Sequence, residues 1–432
     1  MSDPTRWPRP SRRAVVTAGT AALAASVARL PHAWGGLGFH PGGRGKLRVG
    51  LVGCGGRGTG AAANALRADP ETELVALGDT FADQIAACLV SLTETPDVAA
   101  RVHVDEDHRF VGFDAYRGVI ESSDVVLLAT PPHFRPLHVR AAVEAKKHLF
   151  VEKPVATDPA GVRSMMASAA SAREQRLAFV TGLCYRYENK KRETLRRVHA
   201  GDIGTIRAIQ TTYNTGGLWH RGRKPEWSDM EWQVRNWLYF TWLSGDHIVE
   251  QHIHSLDKAL WTMGDEPPES CVASGGRSVR TGPEFGDVFD HFNTVYTWKN
   301  GVRAFSSCRQ WDGAATDVSD HVFGSAGIAR LQAAQIEGPK AWRYQSEEPD
   351  DMYQNEHDAL FASIRAGEPI HDGDIMCKST LLAIMGRLSA FTGQTVTWEQ
   401  ALASELDLSP PEYAWGAREV APVARPGVTK FV

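Results

Sequence analysis

A short β-prone run, Leu47 to Val52, passes directly into Gly53-Cys54-Gly55-Gly56-Arg57-Gly58 and then into an Ala-rich helical stretch, Ala61 to Ala68. Strand, G-x-G-x-x-G and helix in that order form the dinucleotide fingerprint in the context it requires. The first glycine permits the tight turn, the second lets backbone approach a pyrophosphate, and the third lets helix and strand pack closely. A helix N-terminus there offers free N–H groups and the positive end of a dipole. The sequence therefore predicts that Gly53, Gly55, Gly56, Arg57 and Gly58 hold the phosphates of a nucleotide.

The run that follows, Glu73 to Gly78, ends at Asp79, 21 residues past Gly58. A carboxylate at that distance meets ribose hydroxyls and repels a 2′-phosphate, which favours NAD over NADP; a strand-end turn residue is the bland alternative. Two further apolar runs, Asp124–Ala129 and His148–Val151, each follow a helical stretch. Alternating strand and helix predicts a doubly wound parallel sheet. The loops at the carboxyl ends of those strands carry Thr130, Pro131 and His133, then Glu152 and Lys153, and this is the edge where ligands bind. We read residues 46–170 as this Rossmann domain and 171–432 as a second domain.

Residues 1–33 are read separately. Arg12-Arg13 precedes a weakly apolar run from Ala14 to Ala28, the pattern of a twin-arginine export signal, and residues 34–45 form a Gly-rich linker. The expected location is the periplasm. Residues 34–432, with 42 basic and 50 acidic residues, carry a net charge of −8. That excludes a basic nucleic-acid footprint. No later stretch is apolar for long enough to span a membrane. The six cysteines are scattered with no Cys-x-x-Cys pair, which argues against a zinc knuckle.

GCGGRG at 53–58, ATPPH at 129–133, VEKP at 151–154 and the segment at 184–209 resemble the glucose–fructose oxidoreductase / inositol dehydrogenase / rhizopine-catabolism (GFO/IDH/MocA) family over residues 46–393. The resemblance implies a second α/β domain built on a large, mostly antiparallel open sheet. It places Lys153 beside nicotinamide and substrate and implies a cis bond to Pro154. The family's acid, His and Asp signature falls on Glu250, His254 and Asp257, with Glu in place of the usual Asp, and His252 where a small residue is usual. Tyr185-Arg186-Tyr187 resembles the family's substrate-facing strand end. Family members commonly associate through the open sheet face, which implies a dimer or tetramer.

Read as one helix, 246–261 carries Val249, Ile253, Leu256 and Leu260 on one face, and His247, Glu250, His254 and Asp257 on another. Two His flanked by carboxylates suit acid/base work better than a solvated face does. A metal site at Glu250, His252 and His254 is the rival, but a helix points positions 252 and 254 apart, and no metal is expected. Five of the thirteen Trp lie between Leu218 and Leu243. They read either as a platform for sugar rings or as aromatic core or subunit contact. We take Arg235, Trp237 and Tyr239, with Tyr185, Arg186 and Asp257, as the substrate contacts.

The expected activity is hydride transfer from a sugar, glycoside or polyol hydroxyl to NAD. Lys153 and His254 act at the substrate oxygen, and Glu250 orients His254. Two alternatives stay open. With a tightly held cofactor, transient oxidation and elimination would make a glycosidase. With a structural nucleotide, the chain would be a carbohydrate-binding or sensing protein.

Overall fold

The computed structural model describes residues 45–432. The twin arginine and the linker before Gly45 lie outside the described residues.

Six strands form a parallel sheet: β1 (Leu47–Val52), β2 (Thr72–Asp79), β3 (Arg109–Val111), β4 (Val125–Leu128), β5 (His148–Val151) and β6 (Phe179–Thr181), in the order β3-β2-β1-β4-β5-β6. This is the doubly wound order with its switch point between β1 and β4. β4 and β5 are buried on both faces, which is why they read as unbroken apolar runs. Val49 and Leu51 pack under α1 (Gly56–Ala68), while Val52, Val126 and Leu128 face the opposite layer with Val139 and Val143. Helices α2 (Ala82–Thr93), α3 (Ala115–Ser122), α4 (Arg135–Glu144) and α5 (Pro159–Glu174) complete the crossovers. Asp158 caps α5 by accepting from the Gly161 N–H at 2.7 Å, with Pro159 at the first helical position.

The boundary expected at residue 170 needs correcting. It falls inside α5, and the sheet continues through β6 to Thr181. After α6 (Asn189–His199), strand β7 (Ile206–Thr215) opens the second sheet. Next come α7 (Asp229–Arg235), α8 (Thr241–Ser244), α9 (His247–Glu250) and α10 (Ile253–Thr262). They lead into β8 (Ser270–Gly276), β9 (His291–Thr297), β10 (Arg303–Gln310), β11 (Asp317–Gly324), β12 (Ile328–Arg330), β13 (Gln335–Glu337) and β14 (Trp342–Arg343). Helices α11 (Met352–Ala366) and α12 (Gly373–Thr392), the edge strand β15 (Val396–Thr397) and α13 (Trp398–Ala403) follow.

The second sheet runs β14-β13-β12-β11-β7-β10-β9-β8-β15, antiparallel throughout except for the β7–β10 pair. In β10, Ala304, Ser306, Cys308 and Gln310 point inward, and Phe305 stands about half exposed on the other face. The inner face is covered by α10 and by α12, a helix buried almost all round because α5 covers its other side.

Two later segments return to the first domain. Helix α11 packs on α1 through Gln354 to Asn64 at 2.8 Å and Arg365 to Asp69 at 2.5 Å. The tail from 404 carries no helix or strand and forms an irregular strap. Tyr413 and Trp415 in it pack on Phe113, and Trp415 also stacks on Phe81 at 5.5 Å.

Candidate active site

The glycine loop closes over β4 with no room for side chains at its tightest points. A Cβ on Gly58 would lie 1.8 Å from the Gly53 carbonyl oxygen, and Gly53 itself sits at φ +95°. Gly55 and Gly56 are different: a Cβ there would meet almost nothing. They line an open groove of about 360 Å³ together with Arg57, Asp79, Ala129, Thr130 and Pro131. Gly55 offers α1 no side-chain cap, and the first turn holds no acid, so its N–H groups face the groove's end uncapped. An anion would complete this helix end, and the Gly55–Gly56 cradle has space for the pyrophosphate of a dinucleotide.

Asp79 stands at the end of β2 as expected. Its carboxylate accepts from Cys54 N at 2.7 Å and Phe81 N at 2.9 Å, which ties the glycine loop to the strand end. Burial pushes its pKa up despite those donors. Arg57 reaches away from the loop: it grips Glu152 and donates to Glu356 of α11 at 2.6 Å, with its guanidinium 4.6 Å from the Tyr353 ring centre. Burial works against ionisation of Glu152, but Arg57, Lys153 and Arg135 outweigh it and hold the carboxyl below its ordinary value. Glu152 is thus a strut between the glycine loop and the Lys153 loop.

Lys153 follows, joined to Pro154 by a cis bond as the resemblance implied. Its ammonium donates to the Glu250 carboxylate at 2.9 Å and to the Glu250 carbonyl at 2.6 Å. Here the helix reading is corrected. The chain from 246 to 262 is two helices, α9 and α10, broken at Gln251-His252, where His252 N bonds back five residues to His247 O at 3.0 Å. The break changes the phase. His247 turns into the core against Phe292 and Asp246, away from the Glu250 side. His252 is fully buried on Ser306 at 2.6 Å, so Glu250, His252 and His254 do not converge as ligands. Glu250 pairs with Lys153 and makes no hydrogen bond to His254, which corrects the orienting role expected for it.

His254 is half-buried and lies edge-on against Tyr185, with ring centres 5.3 Å apart, and its Nδ1 has no partner among the described residues. Burial above all, then the ammonium groups of Lys153 and Lys258, pushes its pKa well below 6.5. Tyr185 is steadied by Lys258, whose ammonium lies 4.3 Å from its ring centre and 2.5 Å from Asp320. Both members of that pair are fully buried. Lys258→Met leaves Asp320 without its countercharge and should lower the unfolding free energy by about 3–5 kcal/mol in urea titration.

The remaining expected substrate contacts divide. Arg186 and Asp257 bind each other at 2.8 Å, with Asp265 also on Arg186 and Ser379 on Asp257, so both are structural. Tyr239 is buried, and its hydroxyl donates to the Leu218 and Trp219 carbonyls. Arg235 and Trp237 line the nucleotide groove rather than a substrate cleft, beside Trp219 and Arg221. Arg235 donates to both Asp83 oxygens at 3.1 and 3.3 Å and to Glu231 at 2.9 Å, and lies 3.8 Å over the Phe81 ring. His133 is also displaced from its expected role: its Nε2 meets the Tyr413 hydroxyl at 2.8 Å, and burial lowers its pKa to about 4. Of the five clustered Trp, Trp232 and Trp242 are core.

Sequence reasoning missed two features. Tyr213, at the end of β7, is raised to about 12, by burial first and then by the nearby Tyr185 and Glu250. Gln251, in the helix break, accepts from Gln310 at 2.6 Å. Tyr213 is the one aromatic residue of β7, set among Thr212 and Asn214 at the strand's polar end, and that is the signal that points to it.

Known proteins share this architecture. The family model for the GFO/IDH/MocA oxidoreductases, an NAD-binding Rossmann fold, matches residues 47–180, and that family's C-terminal domain model matches 192–330. Inositol 2-dehydrogenase 3 of Saccharopolyspora erythraea is 28% identical over 74% of this chain and 83% of its own. The 2,7-anhydro-N-acetylneuraminate hydratase of Escherichia coli is 27% identical over 50% of this chain, a match that spans about half (53%) of that relative's length. The crystal structure of aldose–aldose oxidoreductase from Caulobacter crescentus superposes with a TM-score of 0.63 at 21% identity, covering 82% of this chain and 99% of that one. With both of its domains matched in order, the chain belongs to the GFO/IDH/MocA family of oxidoreductases, and its first domain is that family's NAD-binding Rossmann fold.

Proposed function

We propose that this protein is an exported NAD-dependent oxidoreductase that oxidises a secondary hydroxyl of a sugar, glycoside or polyol. The observation that carries the reading is the Lys153–Glu250 pair beside a half-buried His254, one residue beyond the Glu152 that Arg57 of the glycine loop grips. The glycine loop, Asp79 and the Thr130-Pro131 turn would hold NAD, which supplies the hydride acceptor when bound. Everything else falls to the chain's own groups. His254, kept neutral, takes the proton of the substrate hydroxyl. The Lys153 ammonium stabilises the oxygen as it gains negative charge. Glu250 fixes that ammonium in place, and Tyr185 holds the His254 ring edge-on. Tyr213 and Gln251 are the polar groups available to substrate hydroxyls. The test is reduction of added NAD by a panel of aldoses and cyclitols; absence of turnover with every one would sink the dehydrogenase reading.

A base held neutral by burial gives a specific pH profile. An exposed His loses half its basic form near pH 6.5. His254 titrates well below that, so kcat/KM should stay level from about pH 8 to about pH 6. A profile that halves near 6.5 would show that another group is the base.

The roof of the nucleotide groove favours a second reading, in which the cofactor is recycled without leaving and the net reaction is cleavage or hydration. Trp219, Arg221, Arg235 and Trp237 of the second domain line the groove. Phe81 lies between the Arg235 guanidinium and Trp415 of the strap. Arg235→Ala removes the link to Asp83 and should speed release of bound nucleotide by about tenfold or more in a stopped-flow chase, since lid opening often limits release. Unchanged release would remove the support for recycling.

The twin arginine motivates the export assignment, tested by fractionating cells that express the full chain and an Arg12→Lys/Arg13→Lys variant. We also propose a dimer or tetramer. Its support is the uncovered sheet face, where Val272 and Phe305 are each about half exposed.

A further inference from the structure

The break between α9 and α10 docks on β10 through two contacts, His252 on Ser306 and Gln251 on Gln310, each at 2.6 Å. Ser306 and Gln310 both point inward from that strand. Gln310 is buried, and so is Arg280, in the loop after β8. The Arg280 guanidinium donates through Nη2 to the Gln310 Oε1 and lies 5.1 Å from the Tyr239 ring centre. Asp290, whose charge Arg280 feels, is taken up by the backbone N–H groups of Ser278, Val279 and Arg280 and by His291 and Trp311. The buried cation therefore turns its Nη2 to a neutral amide.

Arginine has donors only, and a carboxamide has one accepting oxygen and one donating NH2. The order of the chain follows. Arg280 takes the Gln310 oxygen, so the Gln310 Nε2 faces Gln251 and can meet only its Oε1. The Gln251 Nε2 is left over. Its protons have no acceptor among the described residues, and the half-buried side chain leaves it open to solvent. Turning the Gln251 amide over would set two NH2 groups face to face and strand a buried donor. The free NH2 belongs to the residue that follows Glu250, whose carboxylate and carbonyl hold Lys153, and that precedes His254 by three positions.

We propose that Arg280, acting through Gln310, fixes Gln251 as a hydrogen-bond donor to the substrate, so that the site selects a carbohydrate or polyol that places an oxygen there and rejects one that places a protonated amine. The assignment rests on the hydride-transfer reading of this site. A hydroxyl turns a lone pair toward the NH2, and a carbonyl or carboxylate oxygen accepts as it stands. An ammonium has three donors and no lone pair, so it meets the last NH2 of the relay as a like pole. Arg280 and Gln310 are positioning residues and act through Gln251.

The test compares kcat/KM at about pH 6, where an aliphatic amine is protonated. The probes are the fastest sugar of the aldose and cyclitol panel and its mono-amino analogues away from the reacting carbon, such as D-glucose against D-glucosamine. One analogue should lose about 10²-fold or more in the wild type. In Gln310→Glu the new carboxylate still accepts from Arg280 but has no donor, so Gln251 must turn its NH2 inward and present its oxygen. The loss should then shrink by about tenfold or more, whereas a merely structural role would lower both substrates alike. Because Gln310 is buried and its variant risks failing to fold, Gln251→Glu is the second variant; it accepts from Gln310 as before and should shrink the loss in the same way. Nitrogen-15 spectra of the side-chain amides, with Gln251 assigned by its absence in Gln251→Glu, read the relay without turnover. The Gln251 amide protons should exchange freely with water in the wild type and be held in Gln310→Glu. Those spectra without turnover of any sugar would support the relay and sink the dehydrogenase reading alone. Amide protons already held in the unliganded wild type, turnover of every analogue as fast as its parent, or a preference unchanged in Gln251→Glu or in a folded Gln310→Glu would each overturn the proposal.

Discussion

Lys153→Ala is expected to lower kcat by about 10²–10³-fold while leaving nucleotide affinity nearly unchanged. The ammonium is largely buried and held by two oxygens of Glu250, so it is a preorganised charge rather than a mobile one. Its removal takes away the group that meets the developing alkoxide and also leaves Glu250 without its partner. Glu250→Gln separates the two effects: the amide oxygen still accepts from Lys153, so the loss should be smaller than that of Lys153→Ala. His254→Ala should cost about 10²-fold or more, because it removes the group that takes the substrate proton. Full activity in Lys153→Ala would contradict the assignment of this site.

The second large effect lies in the glycine loop and separates folding from binding. Gly58→Ala puts a Cβ 1.8 Å from a backbone oxygen. The strand–helix junction must open, at about 3 kcal/mol, and nucleotide binding should be lost with it. Gly56→Ala adds a methyl where nothing lies within 4 Å, inside the groove. At a helical position that change should leave the thermal melt unchanged or raise it, because alanine is the better helix former. Nucleotide affinity should still fall. Calorimetric melts with equilibrium dialysis of NAD read the two effects separately. Equal loss of stability in both variants would contradict the division of roles drawn for these glycines.

Where chemistry is local in sequence, the chain announced it. The glycine loop, Asp79 and Lys153 all sit at strand ends, where the apolar runs of the parallel sheet stop abruptly. The periodicity of 246–261 failed for a definable reason. Gly245 and Asp246 both take left-handed backbone before α9, and the five-residue bond at His252 inserts a wide turn, so residues on either side fall out of helical phase. Hence His247 was wrongly grouped with Glu250 and His254. Arg186 and Asp257 looked like substrate groups because charge in a site and charge in a buried network have the same sequence appearance; only the 71-residue reach between them distinguishes the two. Arg235 and Trp237 were read as facing sugar because nothing local shows that this segment crosses to Asp83 and Phe81. Helix α11 escaped notice as part of the nucleotide domain for a similar reason: its Glu356 meets Arg57 across 299 residues of chain.

The central claim is that this fold binds NAD and uses it at Lys153 and His254. The most direct measurement is to purify the protein, unfold it, quantify any nucleotide released, and titrate the nucleotide-free chain with NAD. The account predicts NAD or NADH, either released in stoichiometric amount or taken up on titration with saturation at one site. A chain that releases no nucleotide and takes up none would contradict it.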